Sequence, residues 1–168
     1  YIKNISSVDE LDLYQKGLLT VQGESSMLVC KVADVKQGDR ILDVCAAPGG
    51  KTAYLAEGHP AYLQAWDLHE HRVQLMRENF ARLGVNAETM VQDATVLRED
   101  AVGAYDVVLI DAPCSALGLL YRKPDIKFSK TDEDLKSIIQ TQRIILNLCA
   151  EYVKPGGKLV YSTCTINR

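Results

Sequence analysis

From Arg40 onward the sequence alternates short apolar runs with helical stretches, and this alternation narrows the possible folds more than any other feature. Residues 40–44, 61–68, 88–92, 105–110 and 158–162 are β-prone runs. Residues 49–57, 69–83 and 132–153 carry helical patterns between them. In the second helix Val73, Met76, Phe80 and Leu83 share one face, and Gly84 stops it. Thr131 is placed to cap the third. Its inner face reads Leu135, Ile138, Ile139, Gln142, Ile145, Leu146 and Cys149, and Pro155-Gly156-Gly157 ends it. Strand and helix in strict turn predict an α/β fold: a mostly parallel sheet, right-handed crossovers, helices on both faces. Upstream, residues 1–23 read as irregular with a short strand at 18–21, and 24–35 as a helix closed by the turn at Gly38-Asp39.

Composition removes other classes. The chain has 168 residues, of which 47% are apolar and 24% charged, enough for one core without staples. It shows no apolar run of about 18 residues, no signal-peptide pattern and no repeat. Tyr1 is not an initiator Met, which reads as a processed or trimmed piece. Nineteen Lys and Arg against 22 Asp and Glu leave a net charge of −3, which argues against a dedicated nucleic-acid binder, although a local patch could still serve. Five cysteines stand at 30, 45, 114, 149 and 164. With no C-x-x-C pair and no Cys/His cluster, they offer neither a zinc site nor a disulfide framework, which fits a reducing cytoplasm.

Open parallel sheets bind ligands beyond the carboxyl ends of their strands. Every predicted strand end here carries chemistry. Cys45-Ala46-Ala47-Pro48-Gly49-Gly50-Lys51 follows the first, Asp67 the second and Asp93 the third. Asp111-Ala112-Pro113-Cys114 follows the fourth, and Thr163-Cys164 the fifth.

The first turn lets a ligand approach the backbone closely. It fits neither the P-loop, because Cys45 stands where the first Gly is needed, nor G-x-G-x-x-G. Asp67 can accept from the hydroxyls of an adenosine ribose, and Asp93 from the adenine amine. Two acids around a nucleoside without a phosphate cradle suit a cationic adenosine cofactor, S-adenosylmethionine, whose sulfonium favours a carboxylate such as Asp111. The fourth and fifth strands should be neighbours, so Cys114 and Cys164 emerge at the same rim. Two thiols facing one pocket suit disulfide exchange or nucleophilic catalysis. Beside a methyl donor, a thiolate added to C6 of a pyrimidine makes C5 nucleophilic, and Asp111 near N3 would help the addition. The residues alone do not say which thiol attacks. Cys30 and Cys149 read as core, Cys45 as a small residue of the turn, and His59, His69 and His71 as surface.

Three segments carry a resemblance. Asp43-Val-Cys-Ala-Ala-Pro-Gly-Gly-Lys-Thr52, Asp111-Ala-Pro-Cys-Ser115 and Tyr161-Ser-Thr-Cys-Thr165 resemble signature motifs of RNA cytosine-5 methyltransferases of the Fmu/Sun/RsmB type. Val21-Gln22-Gly23-Glu24-Ser25-Ser26 and Arg122-Lys-Pro-Asp-Ile-Lys127 resemble two further stretches of that family. The resemblance implies a Rossmann-like, S-adenosylmethionine-dependent methyltransferase acting on RNA, 16S rRNA in the bacterial branch. It implies cofactor contacts from Cys45, Ala46, Ala47, Pro48, Gly49, Gly50, Lys51, Asp67, Asp93 and Asp111, with Arg72 placed to support that site. It also implies that Cys164 is the nucleophile on C6 and that Cys114 assists release. Gly23 stands where the family commonly has Asp, and Ala116 where it has Gly. Family members continue past the thiol motif with an acidic stretch and two strands, and bacterial ones carry an added N-terminal RNA-binding domain. The chain is therefore expected to be the core of a longer protein. Its residues 1–35 form a lead-in segment on the methyltransferase core 36–168, and its fifth strand is an exposed edge.

The stretch 121–130, with four cations and two aromatics, is the expected RNA contact. Two competing readings are a non-catalytic RNA-binding or ribosome-assembly factor that keeps the fold, and a thiol redox protein with a reversible Cys114–Cys164 disulfide.

Overall fold

A computed structural model describes residues 7–115 and 131–165. Five parallel strands make one sheet in the order β3-β2-β1-β4-β5. They are β1 (Arg40–Val44), β2 (Tyr62–Asp67), β3 (Glu88–Val91), β4 (Tyr105–Asp111) and β5 (Val153–Ser162). The helices are α1 (Asp12–Gln15), α2 (Glu24–Ala33), α3 (Gly50–Ala56), α4 (Glu70–Leu83) and α5 (Asp132–Ala150). Short 3-10 turns occupy Val8–Glu10 and Glu99–Ala101. None of the described helices is long and apolar enough to cross a membrane.

Period-2 alternation along the strands sorts the core into two layers. Leu42, Val44, Trp66, Val108 and Ile110 point to the face covered by α5, where they meet Ile145, Cys149 and Tyr152. Ile41, Leu63, Val107 and Leu109 point the other way, onto Cys30 and Ala33 of α2 and Leu55 of α3. Ala65 joins Val73, Met76 and Phe80 of α4 on that same side. The strands are apolar on both faces because both are covered, as a parallel sheet requires. Cys30 and Cys149 are core residues, and the three histidines are exposed, as the sequence suggests.

Several boundaries differ from expectation for identifiable reasons. No strand forms at 18–21, where Leu18 and Val21 are exposed. Arg82 holds that segment instead. Its guanidinium donates to the carbonyls of Tyr14 (2.9 Å) and Leu19 (3.2 Å) and lies 3.8 Å from the Tyr14 ring. Side-chain donors thus satisfy backbone that a ladder would otherwise pair. The helix α2 ends at Ala33, because Asp34 turns left-handed. The helix α5 begins as expected with a capping box between Thr131 and Asp134, but stops at Ala150. Tyr152 is then free to bury completely and meet Trp66 edge-on, with ring centroids 5.4 Å apart. Ile139, an inner-face residue by its spacing, is half exposed. The Pro155-Gly156-Gly157 stretch does not precede the last strand but lies within it. Tyr105 pairs with Val153 and Val107 with Lys158, so the stretch bulges out of the ladder.

Candidate active site

The strand ends converge as the alternation predicts, and β1, at the centre, sets the arrangement. After Val44 the chain turns through Cys45, a non-glycine residue at φ 63°. Ala46 N–H then bonds the Trp66 carbonyl at 2.8 Å. Helix α4 supports the rest of this loop from beneath. Asn79 Nδ2 donates to the Pro48 carbonyl at 3.0 Å, and the Phe80 ring lies under Gly49. Gly49 adopts φ 95°, and an added Cβ would stand 2.7 Å from a Phe80 ring carbon. Gly49→Ala therefore combines left-handed strain with a clash. It should lower unfolding stability by about 1–3 kcal/mol, read from urea midpoints. Gly50, by contrast, would accept a Cβ without a clash, in ordinary contact with Gln22 Nε2 at 3.8 Å. That amide nitrogen is buried and unpartnered among the described residues. Gly23 beside it caps α2 without a side-chain bond, which an Asp at that position could supply.

Asp67 ends β2 and turns back onto the loop. Its Oδ2 accepts from Ala47 N–H at 3.2 Å and pairs with Arg72 at 3.3 Å, while Oδ1 accepts from His69 N–H at 3.4 Å. The Asp67 side chain is 1% exposed and that of Arg72 44%, so Arg72 covers the carboxylate from the solvent side. Arg72 Nη2 also donates to the Ala47 carbonyl at 3.0 Å. Asp93, past β3, is exposed and accepts from the hydroxyl and N–H of Thr95, which hold its carboxyl below the usual range.

Lys51 is positioned unlike the rest of its loop. Its ammonium crosses to β4 and meets Asp111 Oδ2 at 2.6 Å. The hydroxyl of Ser162, the last residue of β5, donates to Asp111 Oδ1 at 2.9 Å. Beneath them Asp43 is wholly buried and accepts from the Thr52 hydroxyl at 2.6 Å, while its other oxygen has no hydrogen-bond partner among the described residues. Burial pushes the Asp43 carboxyl up to about 7, against the pull of Thr52 and Lys51. Burial likewise pushes the Cys45 thiol up to about 12, which suits a loop residue and not a nucleophile.

Cys114 and Cys164 meet at the same rim. Their Cα atoms are 6.2 Å apart, their sulfurs are joined as a disulfide, and Cys164 N–H points at Cys114 Sγ at 3.3 Å. Ala112 N–H donates to the Ser162 carbonyl at 2.9 Å, Gln142 Nε2 to the Pro113 carbonyl at 2.7 Å, and Ser115 and Thr165 share a 2.8 Å hydroxyl bond. Cys114, Cys164, Asp111 and Lys51 are thus gathered at the carboxyl ends of β1, β4 and β5, with Asp67 and Asp93 on the β2 and β3 side. The expected RNA contact at 121–130, and Ala116, lie outside the described residues. Sequence reasoning misses Ser162, Gln142, Asn79 and Thr52 as residues of the site. Ser162 carries a usable signal, two residues before Cys164 in its motif.

Residues 30–168 match the family model of the 16S rRNA methyltransferase RsmB/F. The chain belongs to the RsmB/F family. It is 42% identical over 162 residues to the ribosomal RNA small subunit methyltransferase B of Klebsiella pneumoniae strain 342, covering 95% of this chain and 37% of that one. The Vibrio cholerae protein of the same name is 39% identical over 161 residues, with 95% and 37% covered. The chain therefore spans a little over a third of the length of these curated relatives. Among solved structures, NSun6 from Pyrococcus horikoshii with SFG superposes at a TM-score of 0.88 and 35% identity, over 97% of this chain and 42% of that one. The family match includes both thiol motifs, the Gly-rich loop and all three rim acids.

Proposed function

We propose that this chain is the catalytic core of an S-adenosylmethionine-dependent RNA methyltransferase that methylates C5 of a cytosine in 16S rRNA. One observation carries the proposal: in an RsmB/F family member, two thiols and a Lys–carboxylate pair share one rim of the sheet beside a small-residue loop.

The loop and acids fit the cofactor. Gly50 brings no side chain to the loop, and the Gln22 amide beside it has an unused donor among the described residues. Asp67 keeps acceptor capacity for a ribose hydroxyl once Arg72 yields its place, since a carboxylate offers about four acceptor sites. Exposed Asp93 can take the adenine amine. When bound, S-adenosylmethionine supplies an electrophilic methyl group.

The other residues act on the pyrimidine. In reduced form, the Cys164 thiolate adds to C6, and the ring electrons move toward C5 and N3. Cytosine presents an acceptor at N3 beside a donor on its 4-amino group. Lys51 and Asp111 offer the complementary donor and acceptor side by side, and Ser162 fixes the carboxylate. Asp111 thus works with Lys51 and not as a lone acid near N3. C5 then forms its bond to the methyl carbon as the methyl–sulfonium bond breaks. The Cys114 thiolate takes the C5 proton, the C5–C6 double bond re-forms as the S–C6 bond breaks, and Cys164 leaves as thiolate. The target base must be single-stranded or flipped for this. The joined sulfurs also suit a thiol redox protein, but that chemistry has no use for the Lys51–Asp111 pair.

The test is methyl transfer. With methyl-labelled S-adenosylmethionine and 16S rRNA, nuclease digestion should return the label in 5-methylcytosine. Label in any other nucleoside would overturn the proposed chemistry.

A further inference from the structure

We infer that Gln142 is a positioning residue for Cys114, holding the release thiol in place through the carbonyl of Pro113. The inference rests on the proposed methyl transfer and assigns a part of it to α5.

Cys114 lies three residues past the end of β4. The turn that carries it is tied to the neighbouring strand and to the helical layer. Ala112 is tied to β5 through Ser162, and Ser115 to Thr165 beyond β5. Ala112 packs in the core cluster with Ile145 and Cys149 of α5, and the hydrogen bond to the helical layer among the described residues is the 2.7 Å bond from Gln142 Nε2 to the Pro113 carbonyl. Pro113 has no N–H, so its carbonyl is its one backbone hydrogen-bonding group. Its ring already fixes φ, and the bond to its carbonyl fixes the peptide plane leading into Cys114. Together they set the direction in which the Cys114 side chain leaves the backbone.

The helix gives Gln142 a firm base. Ile145 and Cys149, three and seven residues further on, are buried in the sheet core. Those residues dock α5, whereas the Gln142 amide lies at the surface side of the contact. Loss of the amide should therefore loosen the thiol and leave the fold intact. The affected step is release, because Cys164 sits on β5's side of the rim and Gln142 does not touch it.

The experiment compares Gln142→Met, which keeps the length but has no donor, with Gln142→Lys, which restores one. Single-turnover methylation, steady-state turnover and the denaturant-resistant protein–RNA complex on ordinary cytosine RNA are measured together, with melting curves. Gln142→Met should keep its first-turnover rate within about twofold of wild type. Its steady-state rate should fall roughly threefold to tenfold, the size of one lost hydrogen bond, as the covalent complex accumulates. Gln142→Lys should recover turnover. Wild-type turnover in Gln142→Met, or a joint fall of both rates with the melting temperature, overturns the inference. A wild-type protein that gives no trapped complex even on 5-azacytidine RNA overturns the functional reading, and this inference with it.

Discussion

Cys164→Ser will abolish the denaturant-resistant complex between the protein and 16S rRNA carrying 5-azacytidine, whereas Cys114→Ser will retain it and let it persist. The analogue has nitrogen in place of C5–H, so after methylation no C5 proton can leave and the S–C6 bond stays. A serine hydroxyl at 164 is hardly ionised at neutral pH and cannot replace the thiolate in the addition. Cys114 meets Cys164 at the rim but is assigned to release, so its loss should slow escape and not attack. The reaction must contain a reductant, because in the disulfide seen here neither sulfur is a nucleophile. A denaturing gel of wild type and the two variants, with S-adenosylmethionine present, separates the outcomes. A complex lost with Cys114→Ser and kept with Cys164→Ser would reverse the two roles. No complex from wild type that still binds cofactor would sink the C5 mechanism for this RNA.

The strands were legible because each is an apolar run buried on both faces, and the rim chemistry because parallel strands present their carboxyl ends together. The two thiols, 50 residues apart, could be placed at one rim from the pairing of β4 with β5. What long-range geometry decides was not legible. Lys51 stands in the Gly-rich loop by sequence, and only the β1–β4 pairing brings its ammonium to Asp111, 60 positions away. Gln142 has the spacing of an inner-face helix residue, and nothing in that spacing says that a proline carbonyl awaits it. The Pro-Gly-Gly stretch reads as a stop by composition, yet a bulge accommodates it inside β5. Asp43 is hidden for a different reason. Within Arg-Ile-Leu-Asp-Val it is the one acid of a β-prone run, and only the layers on both faces reveal it as wholly buried.

That buried acid sets the second large effect: Asp43→Asn will remove a fall in stability that the wild type shows between pH 5 and pH 8. Burial raises the Asp43 carboxyl from 3.8 to about 7, and Asp111 and Asp67 push in the same direction, while Thr52 and Lys51 oppose. The folded protein therefore keeps a proton that the unfolded chain releases. Its contribution is full below pH 3.8, shrinks as pH rises through the interval, and is lost above about 7. Between pH 5 and pH 8 the loss is roughly 2–3 kcal/mol. The other perturbed carboxyls act with the opposite sign and lower down. Salt bridges or hydrogen bonds hold Asp34, Asp93, Asp100 and Asp106 below the usual range, so their stabilisation is complete by pH 5. Asparagine keeps the shape and can still accept from Thr52, but does not titrate. Urea midpoints at pH 5 and pH 8 for both proteins give the comparison. Equal slopes would mean that Asp43 keeps its charge in the fold, with Lys51 shared between it and Asp111, and the rim would then carry two carboxylates on one ammonium.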